Sequence, residues 1–292
     1  MNTDPPTLAE PPDTGLSATL PLPIIDQAEL PATALAPAEA FQPLTFVARG
    51  GLGAVWRAQD VALRRAVALK EIVPERADDE LARARFLREA ELTGQLEHPG
   101  IVPIYALGCN AAGRPFYTMR FITGQSLRQA LTAFHTPSAP RSAAQTRLEF
   151  RALLQRFVSI CQALDYAHSK GILHRDLKPD NVMLGAHGET LVVDWGLAKE
   201  LHETDAVAAP LAPVADGLTL AGTIVGTPGY LAPEQAFGDA LGPAADIYGL
   251  GGILYTLLTG AVPITGDDVT AIAAWPRRRR RPWRPSVKKR WP

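Results

Sequence analysis

Residues 172–184 read I-L-H-R-D-L-K-P-D-N-V-M-L, placing a carboxylate at Asp176, an ammonium at Lys178 and an amide at Asn181 within six positions. Groups of these types can take up a proton, neutralise negative charge and bind through a carbonyl oxygen. A second candidate is the run Gly50-Gly51-Leu52-Gly53. Glycine lets a backbone come close to a ligand, and the amides of such turns bind phosphate. A third is Lys70, which ends the apolar run Ala66-Val67-Ala68-Leu69. Each also has an ordinary reading: a polar turn between buried strands, a simple hairpin, and a lysine that keeps its charge in water while its stem covers apolar surface.

The flanking residues say which elements must hold these groups. Ile172 and Leu173 before the polar cluster, and Val182, Met183 and Leu184 after it, predict a loop pinned at both ends by short strands, its polar groups facing a cleft. Residues 41–60 read as strand, glycine turn, strand, and 66–70 as a further strand. A helix over about 80–96 turns Phe86, Leu87, Ala90 and Thr93 inward and carries Glu89, for which Arg85 is an ordinary i,i+4 partner. Residues 101–107 and 114–122 read as strands, 126–134 as a short helix and 135–145 as a polar loop. Over 148–171 the spacing predicts a long amphipathic helix with Leu153, Leu154, Phe157, Ile160, Cys161, Leu164 and Ala167 on its inner side. Cys161 is therefore read as core. Leu191-Val192-Val193 forms a strand leading to Asp194-Trp195-Gly196, and 197–225 a long loop of small residues.

The order H-R-D-L-K-P-D-N resembles the catalytic loop of the protein kinases. The other motifs follow in that family's order across residues 41–264: the glycine loop, the strand ending in Lys70, Glu89, H-P-G-I-V-P-I-Y, M-R-F-I, D-W-G, G-T-P-G-Y-L-A-P-E and D-I-Y-G-L-G. Two departures are visible: Ala48 stands at the first glycine of the loop, and Trp195 replaces the usual phenylalanine after Asp194. The resemblance implies an α+β, two-lobed fold with a small β-rich N-lobe over about 41–122 and a mainly helical C-lobe over about 123–264. It implies ATP bound by Ala48, Gly50, Gly51, Gly53, Val55, Ala68, Lys70, Met119 and Ile122, with Lys70 held by Glu89, Met119 as gatekeeper and Ile122 giving backbone contacts. Magnesium (Mg2+) would be held by Asn181 and Asp194. Asp176 would orient a substrate hydroxyl and accept its proton, and Lys178 would neutralise the transferred phosphoryl group. Lys178 two positions after Asp176, with Thr227 placed to bridge the two, is the serine/threonine pattern, and the chain is most similar to bacterial eukaryotic-like (Hanks-type) serine/threonine kinases. Arg175 implies an anionic partner, supplied in the family by a phosphate on the activation loop; Thr219 and Thr223 are the candidate sites, and self-phosphorylation in trans follows.

Composition sets the remaining bounds. Two cysteines, Cys109 and Cys161, are too few for a disulfide framework, and the N-terminal residues M-N-T-D-P-P show no signal peptide, so a cytoplasmic, reducing location is expected. Residues 1–40 hold eight prolines and no sustained period, which predicts a disordered leader. Residues 247–264 carry no formal charge and approach the length of a membrane span. Asp246 before them and Gly249, Gly251 and Gly252 within them favour a buried central helix ended by Pro263, whose leading aspartate anchors the catalytic loop in the family. The net charge of −1 hides nine basic residues within 276–292; the rest of the chain carries 20 basic against 30 acidic, about −10 by this count. That basic run, with Trp283 and Trp291, is of a kind that binds nucleic acid, but protein substrates rather than nucleic acid are the expected partners; steeply salt-dependent binding would overturn that expectation. The resemblance further implies about three more helices after the central one, one of them bringing an arginine to Glu234. Residues 265–292 read instead as an irregular basic tail, so the expectation is a truncated or frame-shifted C-lobe lacking its last helices. A poorly stable protein follows, with a catalytically impaired module that binds nucleotide or protein as the alternative to an active enzyme.

Overall fold

The computed structural model of the chain describes residues 36–196, 199–200, 228–236 and 239–264. The expectations for residues 1–35, Thr219, Thr223, Thr227 and the basic tail lie outside these residues.

The small lobe is a five-stranded antiparallel sheet, in the order β1-β2-β3-β5-β4. The strands are β1 (Phe41–Arg49), β2 (Gly53–Asp60), β3 (Arg65–Ile72), β4 (Ile104–Cys109) and β5 (Pro115–Arg120). Side chains alternate across a strand, so the sheet has two apolar faces. Val67 and Leu69 of β3 pack with Phe41, Ala58 and Phe116 on one face. Ile72 of β3 and Tyr117 of β5 face the other way and pack with Phe86 and Ala90 of α1 (Glu80–Gly94). Asp79 starts α1 by accepting from the amides of Leu81 and Ala82, satisfying donors that no helical carbonyl reaches.

The larger lobe follows as β6 (Gly124–Ser126), α2 (Leu127–His135), α3 (Ala143–Ser169), β7 (Ile172–Leu173), β8 (Val182–Gly185), β9 (Thr190–Val192), β10 (Lys199–Glu200), α4 (Pro233–Ala236) and α5 (Pro243–Thr259). Its core gathers Leu127 and Leu131 of α2, Ile160 and Leu164 of α3, and Ile253 and Leu257 of α5 around Val182, Val192 and Trp195. The lobes are tied at a second place besides the segment after β5. The Val192 amide donates to Gly100 O at 2.8 Å, and Arg120 pairs with Glu189 at 2.6 Å.

Several boundaries differ from the sequence reading. Ala36 donates to Leu107 O at 2.9 Å and residues 38–40 form a helical turn, so these belong with the small lobe rather than a leader. The strand expected from Ile101 begins at Ile104, because Ile101 pairs with Val192 instead. Helix α3 starts five residues earlier than expected, where Ser142 and Gln145 cap each other reciprocally. His135 is helical rather than loop, its Nε2 bonded to Leu257 O at 2.9 Å. Helix α1 stops at Gly94, and Val193 lies outside β9. Helix α5 begins at Pro243 and ends at Thr259, because Gly260 takes φ +75°, a left-handed stop, before Pro263 is reached. One side of α5 is buried, through Asp246, Gly249, Ile253 and Leu257; Ile247, Tyr255 and Leu258 are exposed. No helix among the described residues is long and apolar enough to cross a membrane.

Candidate active site

The loop after β7 is built around two buried side chains. His174, fully buried, lies against Trp195 with ring centroids 4.6 Å apart. Its Nδ1 accepts from the Asp176 amide at 3.3 Å, which leaves Nε2 to donate to Val193 O at 3.2 Å. Asp246, at the start of α5, accepts from the His174 amide (2.9 Å), the Arg175 amide (2.8 Å) and His168 Nε2 (2.7 Å). Burial works against that carboxylate, but the His168 bond, the nearby His174 and the two amides outweigh it and hold Asp246 below the usual carboxylate range. Arg175 takes φ +69°, an uncommon conformation for a side-chain-bearing residue, and its carbonyl accepts from Gln235 Nε2 at 2.5 Å.

This frame presents Asp176, Lys178 and Asn181 together. Lys178 Nζ lies 2.6 Å from Asp176 Oδ2. Asn181 Nδ2 donates to the Asp176 carbonyl at 2.8 Å and to Oδ2 at 3.1 Å. With its amide nitrogen so occupied, Asn181 keeps its oxygen as an acceptor. On the same loop Arg128 of α2 grips Asp180, Nε at 2.7 Å from both oxygens.

The opposite wall comes from the small lobe. In the sheet register Val55 stands opposite Lys70 and Ala68 opposite Met119, so residues distant in sequence share one patch. Ala48 stands opposite Val55, and Ile122 follows β5. Gly50 N donates to Gly53 O at 2.8 Å to close the turn around Gly51. A Cβ on Gly53 would lie 3.0 Å from Lys70 Cε and 3.2 Å from the Glu71 carbonyl, so the turn sits against the lysine only because it lacks a side chain. Lys70 Nζ lies 2.6 Å from Glu89 Oε1 and 3.3 Å from Asp194 Oδ1. Glu89 therefore faces Lys70 rather than serving as a surface partner of Arg85. Burial pulls the Lys70 ammonium down, but the charges of Glu89 and Asp194 prevail and hold it well above the ordinary lysine value. Asp194 has φ +63° and a half-exposed side chain; partial desolvation raises its carboxyl, and the neighbouring Lys70 ammonium more than offsets this and lowers it.

The chain is matched by the family model described as protein kinase domain over residues 41–286. It belongs to the protein kinase family. The curated relatives include the serine/threonine-protein kinases PknD of Chlamydia muridarum (40% identical over 233 residues) and of Chlamydia trachomatis serovar L2b (41% over 233). That of Chlamydia caviae is 40% identical over 226 residues. These matches cover 75–76% of this chain and 24–25% of the relatives, so the chain spans about a quarter of the length of the curated relatives it matches.

Of the residues singled out in the sequence, the kinase fold brings Lys70, Glu89 and Asp194 into one cluster and Asp176, Lys178 and Asn181 into another. Three contributors were not singled out. Tyr117 OH donates to Glu89 Oε1 at 2.7 Å, His168 supports Asp246, and Gln235 holds the Arg175 carbonyl. A signal for Tyr117 was present: it lies two positions before Met119 on a strand, hence on the same face, and a buried phenol needs a partner. The other two contacts join residues 60 or more positions apart and leave no local pattern.

Proposed function

We propose that this chain is the catalytic domain of a protein serine/threonine kinase, transferring the γ-phosphoryl group of ATP to hydroxyls on protein substrates, with self-phosphorylation in trans. The observation that carries the reading is the Asp176 carboxylate gripped by both Lys178 and Asn181, on a loop whose backbone is fixed from α5. The Asp194 carboxylate and the Asn181 amide oxygen are hard donors of the kind magnesium prefers, and these two residues would hold that ion. When bound, magnesium neutralises charge on the phosphates.

The protein's own residues do the rest by position. Asp176 aligns the incoming hydroxyl and takes its proton as the oxygen attacks. Lys178 stabilises negative charge on the group in transit. Lys70, fixed by Glu89, binds the α- and β-phosphates, and the Gly50–Gly53 turn covers them. Val55, Ala68, Met119 and Ile122 receive the adenine. Such a site works by orientation and electrostatics more than by base strength. The reading extends to Thr227 as a bridge between Asp176 and Lys178, to phosphate on Thr219 or Thr223 as the partner that activates through Arg175, and to a cytoplasmic location.

The test is transfer from radiolabelled Mg-ATP to the chain itself or to a generic protein, read as phosphoserine or phosphothreonine. Asp176→Asn abolishes transfer while nucleotide still binds, and Lys70→Ala cuts turnover severely. Wild-type transfer rates in Asp176→Asn would remove the assignment.

A further inference from the structure

We propose that Tyr117 is a positioning residue of the phosphate-binding apparatus: its hydroxyl holds Glu89, and through it α1, independently of Lys70. The inference rests on the kinase reading for its functional consequence but stands on geometry that needs no nucleotide. Tyr117 lies directly opposite Lys70 in the β3–β5 register, so the two side chains rise from the same sheet face toward α1. They converge on one atom. Glu89 Oε1 accepts from Lys70 Nζ at 2.6 Å and from Tyr117 OH at 2.7 Å. The other oxygen, Oε2, is buried and has no hydrogen-bond partner among the described residues, so the two bonds that these residues give the carboxylate meet at Oε1. Glu89 and Tyr117 are 3% exposed, so water does not readily replace either bond if it is lost.

The two donors differ in what else they must do. Lys70 is divided between Glu89 and Asp194, and as a phosphate ligand it must turn part of its hydrogen-bonding capacity toward substrate. Among the described residues Tyr117 has one hydrogen-bond partner, Glu89. Burial pushes the phenol well above its ordinary range and the charge of Glu89 pushes it further, so it remains a donor. Its ring packs on Phe86 of α1 at 5.3 Å, which Phe at this position would preserve. The hydroxyl therefore keeps α1 docked while Lys70 is engaged elsewhere.

The experiment is a cycle of Tyr117→Phe with Glu89→Ala, which removes the acceptor, and Glu89→Gln, which keeps an acceptor oxygen. Hydrogen–deuterium exchange of α1 is measured on nucleotide-free protein, alongside steady-state kinetics with Mg-ATP. Tyr117→Phe should speed exchange in α1 about tenfold, leave α3 unchanged, and lower kcat/KM for ATP about tenfold. In the Glu89→Ala background the same change should alter either quantity by less than about twofold, whereas in Glu89→Gln the full effect should persist. Equal effects in all backgrounds would make Tyr117 a packing residue only and overturn the proposal, as would unchanged α1 exchange in Tyr117→Phe. A wild-type chain that transfers no phosphate would overturn the kinase reading, and the exchange measurements would still decide the role of Tyr117.

Discussion

Asp246→Asn tests whether the catalytic loop is held from α5. The wild-type carboxylate satisfies two backbone donors on different oxygens, His174 N on Oδ2 and Arg175 N on Oδ1, with His168 also on Oδ2. An asparagine has one acceptor oxygen. It keeps the most by leaving that oxygen toward His174 and His168, which turns its NH2 toward the Arg175 amide and sets donor against donor. The loss is one charge-assisted bond, about 1.5–3 kcal/mol, with the Arg175 N–H left unpaired at about 1–3 kcal/mol. These overlap, so a total of roughly 2–4 kcal/mol is expected. For a domain of this size, about 2–4 °C per kcal/mol, the melting temperature should fall by roughly 5–15 °C. Function should suffer more than folding, because Arg175 is held at φ +69° by this bond and Asp176 is the next residue. Released, Arg175 relaxes toward ordinary backbone and carries Asp176 off line, a displacement of the kind that costs about a hundredfold in rate. The assays are a calorimetric melt and kcat measured well below the variant's melting temperature. A variant that melts within about 1 °C of wild type and turns over normally would refute this account of the loop.

Other outcomes follow from the same contacts. Gly53→Ala places a methyl 3.0 Å from Lys70 Cε and 3.2 Å from the Glu71 carbonyl, so KM for ATP should rise several-fold with little change in melting temperature; nucleotide titration checks this. Because Asp246 is held below its unfolded value of about 3.9, its contribution to stability is complete above that pH and is lost as pH falls through the lower folded value. Melts between about pH 5 and pH 2 should show wild type losing stability over that window more steeply than Asp246→Asn. Phe86→Ala should cost about 3–5 kcal/mol, read by denaturant unfolding, since this fully buried ring joins α1 to the sheet.

The sequence by itself determined the chemistry-bearing loop and most of its scaffold. The polar cluster 172–184 is bracketed by β7 and β8 because its flanking residues are apolar and the polar ones are not, a contrast that acts over a few positions. The inner side of α3 was legible for the same reason: Leu153, Ile160, Leu164 and Ala167 recur at helical spacing and are buried. Even the early start of α3 was written locally, in Ser142 and Gln145 three positions apart, a capping signal that outweighed the polar look of the segment. Tertiary structure decided what lies across the sheet and between the lobes. That Tyr117 shares Glu89 with Lys70 depends on the β3–β5 register, and that Asp246 holds the amides of His174 and Arg175 depends on α5 returning beneath a loop more than 70 residues earlier. Such contacts are fixed by how whole elements pack, and a buried polar group discloses its partner only once that packing has brought the two together.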